Sequence, residues 1–293
     1  MRVASNQYQA TMNRALQDAN AGLSQVMQQM ATGNKQLLPS DDPIATMRLS
    51  RLTSDDASID QYQSNITALQ SRLKTSESVL DSMQQNLQSA RDLLVWAADG
   101  SNTPSDLNAM SGSLKSLHDS LLYLANSKDA EGHYLFSGTA SNQPTVDASY
   151  NFDGNTATQQ VAVADQLSIG ANVSLPTVGA FLQQLDNLAT QLANPGITTA
   201  GVQGNVSAMI TSLDATLNTV SGTIGVLGGR QNMLQTLSDT QSAVKVSDQQ
   251  SELSIGQVDY GEASTRLNSY QIAVQATQKA YAKVSQLSLF NDT

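Results

Sequence analysis

Cysteine is absent from all 293 residues, which excludes disulfides, thiolate metal sites and cysteine nucleophiles together. Aromatic side chains are scarce at 4% and charged ones at 14%, against roughly 25% charged in ordinary soluble domains. Ser, Thr, Gln, Asn and Ala fill the space, so the surface is polar but weakly ionised. Such a surface loses little solvation energy when neighbours cover it, which suits a subunit packed on several sides. Clusters of Lys and Arg are lacking as well. The net charge is −10 and the pI is near 4.5, which argues against nucleic acid and anionic membranes, because phosphate binding needs concentrated positive charge. Met1 to Ala10 contains no apolar signal core, and no stretch approaches the roughly 18 consecutive apolar residues of a membrane span. The expectation is a chain that stays in the cytoplasm or leaves it by a route independent of a signal peptide.

Apolar spacing is the richest positive signal, and it follows the 3-4-3-4 alternation of a heptad. Ile59, Tyr62, Ile66, Leu69, Leu73, Leu80, Met83, Leu87, Ala90, Leu94 and Ala97 make one long stripe, interrupted only by polar Ser76. A helix from Asp56 to Ala98 would extend roughly 60 Å at 1.5 Å per residue, the length of a rod. Asp99-Gly100-Ser101-Asn102 breaks it. Thr103-Pro104-Ser105-Asp106 then reads as an N-cap with Pro at the first helical position, starting a helix striped by Leu107, Met110, Leu114, Leu117, Leu121 and Leu124. Val178, Phe181, Leu185, Leu188 and Leu192 form a shorter stripe, and Val206, Ile210, Leu213, Leu217, Val220, Ile224 and Leu227 a longer one. These four helices close a bundle. Between them Thr139 to Pro176 changes character, with Asp153-Gly154 after Tyr150-Asn151-Phe152 as a hairpin signal, then Val161-Ala162-Val163 and Leu167-Ser168-Ile169. This insertion is too thinly apolar to stand alone and is expected to lean on the bundle.

Two stripes remain at the extremities. One comprises Met12, Leu16, Ala19, Leu23, Val26 and Met30. The other comprises Leu253, Gly256, Tyr260, Ala263, Leu267, Tyr270, Val274, Thr277, Tyr281 and Val284. Each is weakened by small or polar residues, and a lone helix of this kind is marginal in water. Each therefore needs a partner, and periodicity permits the two to pair. The ends are expected to gain helix on assembly.

Catalytic readings are weak throughout. Ser40-Asp41-Asp42-Pro43 holds adjacent carboxylates, which can perturb one another, but a turn and N-cap explain the string better. The glycines at 222, 225, 228 and 229 lack the preceding strand and following Lys-Ser/Thr of a phosphate loop, and read instead as close-packing helix positions. His118 and His133 are isolated histidines, His118 on the polar side of its helix, and make a poor metal site. No HExxH or G-x-S-x-G string occurs. The expectation is a non-enzymatic protein with no catalytic, cofactor or metal site.

Specific strings then point to a family. The heptad start followed by Gly33 and Pro39-Ser40-Asp41-Asp42-Pro43-Ile44-Ala45 resembles the bacterial flagellin superfamily. Glu131-Gly132-His133-Tyr134-Leu135-Phe136-Ser137-Gly138-Thr139 is similar to a string of its hook-associated members rather than of flagellin, with Gly132, Tyr134, Leu135, Phe136 and Gly138 as its marked positions. Leu227 to Leu234 and the terminal Leu287-Ser288-Leu289-Phe290 agree. The resemblance implies a mainly α fold, an elongated heptad-patterned bundle with paired N- and C-terminal helices and a small β-rich insertion. It implies an inner coiled coil of residues 1–38 and 256–293, a rod of 39–138 and 177–255, and an outer insertion of 139–176. It further implies a structural ring between hook and filament, with the hook-side junction protein, flagellin, further copies of itself and an export chaperone as partners. Flagellin itself is the alternative. Assembly would run through Met12, Leu16, Leu23, Val26 and Met30 against Leu267, Tyr270, Val274, Tyr281, Val284, Leu287, Leu289 and Phe290. Export would be by the flagellar secretion apparatus to an extracellular position, without a cleaved signal peptide.

Overall fold

The computed structural model describes the backbone of residues 2–289 and the side chains of 7–283. The described residues form six helices and one two-stranded sheet: α1 (Arg2–Thr32), α2 (Pro43–Ala97), α3 (Pro104–Ala125), β1 (Gln160–Ala164), β2 (Leu167–Gly170), α4 (Val178–Leu192), α5 (Thr199–Gly256) and α6 (Tyr260–Leu289). They divide into two compact units, residues 59–242 and residues 1–58 with 243–293.

Residues 59–242 hold one continuous core. Leu73, Leu80, Met83, Leu87 and Leu94 of α2 meet Leu107, Leu114 and Leu121 of α3, Leu185 and Leu192 of α4, and Val206, Leu213 and Leu227 of α5, all buried. Each such leucine removed from water stabilises by about 1.5–3 kcal/mol, so the stripes legible in the sequence are the core itself. Thr103 starts α3 with a reciprocal capping box. The Asp106 N–H donates to Thr103 Oγ1 at 3.2 Å, and the Thr103 N–H donates to Asp106 Oδ2 at 3.0 Å. Between the helices run the pairs Arg91–Asp214 and Lys115–Asp186 and the bond from Ser111 Oγ to the Ala189 carbonyl.

The insertion contributes Val146, Val163, Ile169, Ala171 and Leu175 to that same core. Its strands pair antiparallel, Val161 opposite Ile169, and turn at Asp165–Gln166, where Gln166 has φ +56°. Asp153-Gly154 is thus not the hairpin turn that its dipeptide signals; Gly154 instead lies against the Ser137 backbone. Side chains fasten the hairpin to the helices. Asn65 Nδ2 donates to the Ala162 carbonyl at 2.8 Å, Gln241 Nε2 to Val163 at 2.6 Å, and Arg230 Nη1 to both Gly170 and Asn172 at 3.0 Å. The Arg230 guanidinium is sunk far enough that burial lowers its pKa.

The other unit pairs α1 with α6. Tyr260 Oη donates to the Met30 carbonyl, while Gly22 lies under the Tyr270 ring, so residue numbers rise on one helix as they fall on the other and the two run antiparallel. Ahead of them the chain crosses itself at an isolated bridge between Asn34 and Gln257. There the Lys35 N–H donates to Gly256 at 2.7 Å and the Val258 N–H to Gly33 at 2.9 Å, and Gly33 sits at φ +73°. On both long helices, serine and threonine hydroxyls fold back onto the carbonyl four residues earlier, as Thr67 does to Gln63, Thr219 to Ala215, Thr236 to Asn232 and Ser242 to Ser238.

Candidate assembly surface

The terminal stripes meet, but bury little. Val26, Val258 and Ala263 are enclosed, with Met30, Leu267 and Tyr270 packed half-buried against them. Met12, Leu16, Leu23 and Val274 are half-buried, and Tyr281 is exposed. Val284, Leu287 and Leu289 lie on α6 with side chains outside the described residues, and Phe290 lies outside them altogether. The C-terminal stripe is not one helix. Leu253 and Gly256 end α5, residues 257–259 break the chain, and α6 begins at Tyr260. The 3-4 spacing keeps its phase across the break, which is why periodicity alone reads straight through it.

Between α1 and α2, the acidic string is structural. Asp41 Oδ2 accepts from the N–H groups of Leu37 and Leu38, and Asp42 Oδ1 accepts from Ala45 N–H at 3.0 Å, with Pro43 at the first helical position. Pro39 and Ser40 are exposed in the turn. α2 therefore starts at Pro43, thirteen residues before the Asp56 expected from the apolar stripe alone, because the cap and not the stripe sets its beginning.

The string from Glu131 to Thr139 clasps the insertion to the end of α3. Gly132 (φ +87°) turns the chain; Tyr134 lies beneath the Lys128 ammonium, 4.5 Å from its ring centre; Leu135 and Phe136 enter the core. Gly138 adopts φ +72°, and a Cβ there would stand 1.9 Å from the Asn155 carbonyl oxygen. Gly179 is held similarly, its hypothetical Cβ 2.3 Å from the Tyr150 carbonyl.

Two further expectations are corrected. His118 is 1% exposed rather than on the polar side; its spacing from Leu114 and Leu121 is a core spacing. The Tyr150 ring covers it edge-on at 5.5 Å, and its Nδ1 meets Asp119 Oδ1 at 2.9 Å. The glycines of α5 are not close-packed: a Cβ at Gly222, Gly225, Gly228 or Gly229 would meet nothing within 4 Å. Among the described residues no group of three His, Asp or Glu is placed to hold a metal ion, and no helix is long and apolar enough to cross a membrane. Ile44, in the sequence only a member of the family string, lines an open groove with Met47, Arg48, Arg51 and Ile255, which sequence reasoning passed over; nothing in their spacing separates them from a helix surface.

Long paired helices and terminal stripes that stay only partly covered are the features of a subunit that packs against neighbours. Residues 3–141 match the bacterial flagellin N-terminal helical region and residues 209–291 the C-terminal helical region. A solved flagellar hook-associated protein from Vibrio parahaemolyticus is 32% identical, with a TM-score of 0.68, over 73% of this chain and 99% of that one. Flagellar hook-associated protein 3 of Escherichia coli K12 is 27% identical over 97% of this chain and 96% of its own length, and that of Salmonella typhimurium 25% over 99% of each. The chain belongs to the flagellin family, on its hook-associated branch, and is a structural component of the bacterial flagellum.

Proposed function

We propose that the chain is a junction subunit, forming a ring between a hook-side junction protein and the flagellin filament, and that it catalyses no reaction. The likeness to hook-associated protein 3, end to end in both chains, carries this reading. The likeness to flagellin B of Vibrio anguillarum spans only 48% of the chain, which favours the junction over a filament subunit. The geometry fits. In this reading residues 1–38 and 256–293 build the inner coil, 39–138 and 177–255 the rod, and 139–176 an outer insertion. Flagellin, the hook-side protein and further copies are its neighbours, an export chaperone shields its C-terminal segment, and secretion needs no cleaved signal peptide. The weakly ionised surface supports this, since neighbours cover it at small desolvation cost. Deleting the gene should leave cells that secrete unpolymerised flagellin into the medium and do not swim. Normal filaments on such cells would overturn the proposal.

A further inference from the structure

The start of α2 and the end of α5 carry two unlike faces, and we infer that one copy docks by the first onto the second face of the next. This rests on the ring reading above. A helix turns about 100° per residue, so Ile44, Met47, Arg48 and Arg51 share one side of α2 and Leu49 and Thr53 the opposite side. On α5, Ser251 and Ile255 accompany the first set, and Gln249, Leu253 and Gly256 the second. A groove of about 480 Å³ lies along one side of the helix pair and one of about 690 Å³ along the other.

Both grooves expose apolar side chains that a solitary subunit would keep covered: Ile44 is 63% and Met47 67% exposed on the first, Leu253 59% on the second. Their charges are opposite. The lining of the first holds Arg48 and Arg51, with Asp55 one turn beyond on the same side of α2; the lining of the second holds Glu252 and no base. Arg51 stands 4.0 Å from Asp55 along its own helix, both side chains well exposed, a pairing that solvent weakens and that is easily exchanged. Glu252 Oε1 is oriented by a 3.0 Å bond from Thr53 Oγ1.

Charge complementarity names the occupant as a second copy and fixes the kind of contact. A two-fold contact would set Arg48 and Arg51 against themselves, whereas a head-to-tail contact sets the basic face of one copy on the acidic face of the next and closes a ring when repeated. The net charge does not oppose it. The unit bearing these faces has nine Lys and Arg against ten Asp and Glu, while residues 59–242 have six against fifteen and carry nearly all the excess.

Because the chain has no cysteine, introduced thiols report only on each other. Oxidising isolated flagella that carry Met47→Cys with Leu253→Cys should give a ladder of covalent multimers, while either substitution alone leaves monomers. Adding Arg48→Glu and Arg51→Glu should cut the cross-linked fraction about tenfold. Dimers from a single substitution would overturn the head-to-tail arrangement. So would flagella that contain the doubly substituted chain, and a second pair Ile44→Cys with Gln249→Cys, yet yield no ladder; the junction reading would survive that result. Flagella from unaltered cells that lack the chain would end both.

Discussion

At single positions, the backbone is most demanding where the insertion meets the helices. Gly138→Ala combines a positive φ with a Cβ pressed into the Asn155 carbonyl, and should cost about 2 kcal/mol or more, read as a lowered Tm. Thr103→Ala removes one half of the capping box and should cost about 1 kcal/mol. Acid sensitivity follows from Asp186, whose carboxyl is held below the usual range by its bond from the Lys115 ammonium. A carboxylate depressed in the folded state stabilises above its unfolded pKa and loses that contribution as pH falls through the folded value. Thermal melts at pH 7 and pH 3 should therefore show a smaller acid-induced drop for Asp186→Asn than for the unaltered chain, and equal drops would refute the link. In the sequence the cap is legible, because its Thr-Pro-x-Asp string carries its own geometry, while Gly138 stands out only as a position of the family string and Asp186 not at all. His118 was misread because a polar residue at a core spacing looks solvated until Tyr150 is known to cover it.

Helices were read more faithfully than positions. Heptad spacing located the cores of α2 to α5, because an apolar stripe is the cause of burial and not a correlate of it. What it could not show was where a helix stops if the next keeps its phase, as at 257–259. On α5 the exposed glycines cost stability with no contact in return, so Gly222→Ala with Gly225→Ala should stabilise the chain by about 0.5–1 kcal/mol per site, read as a raised Tm. A fall would mean that their missing side chains matter to the folded chain itself. Val26, Val258 and Ala263 form a cluster separate from the main core. Leu267→Asp with Val274→Asp should therefore abolish motility while leaving residues 59–242 folded, as judged by unchanged protease resistance of that unit. Swimming cells carrying both substitutions would count against an assembly role for α6.

For the chain as a whole, thin apolar content in residues 139–176 points to an attachment that leans on the bundle. The structure sets Val146, Val163, Ile169 and Leu175 in the common core, so deleting the segment should open that core and abolish cooperative thermal unfolding of residues 59–242. Tertiary packing supplied what local composition hid: the insertion draws its apolar partners from helices distant in sequence. Family strings, rather than periodicity, carried the reading toward the flagellum, since a stripe states that a partner is needed without saying which.

The hydroxyls of Thr67, Thr219, Thr236 and Ser242 point at their own backbone. A threonine so placed turns its methyl outward and asks nothing of a neighbour. Counted by composition these helices are wet, yet at these hydroxyls the donor is already spent on the helix itself. Where two such stretches meet, a shift in register strands no hydroxyl donor, so a joint built on them would be firmly seated and yet tolerant of sliding.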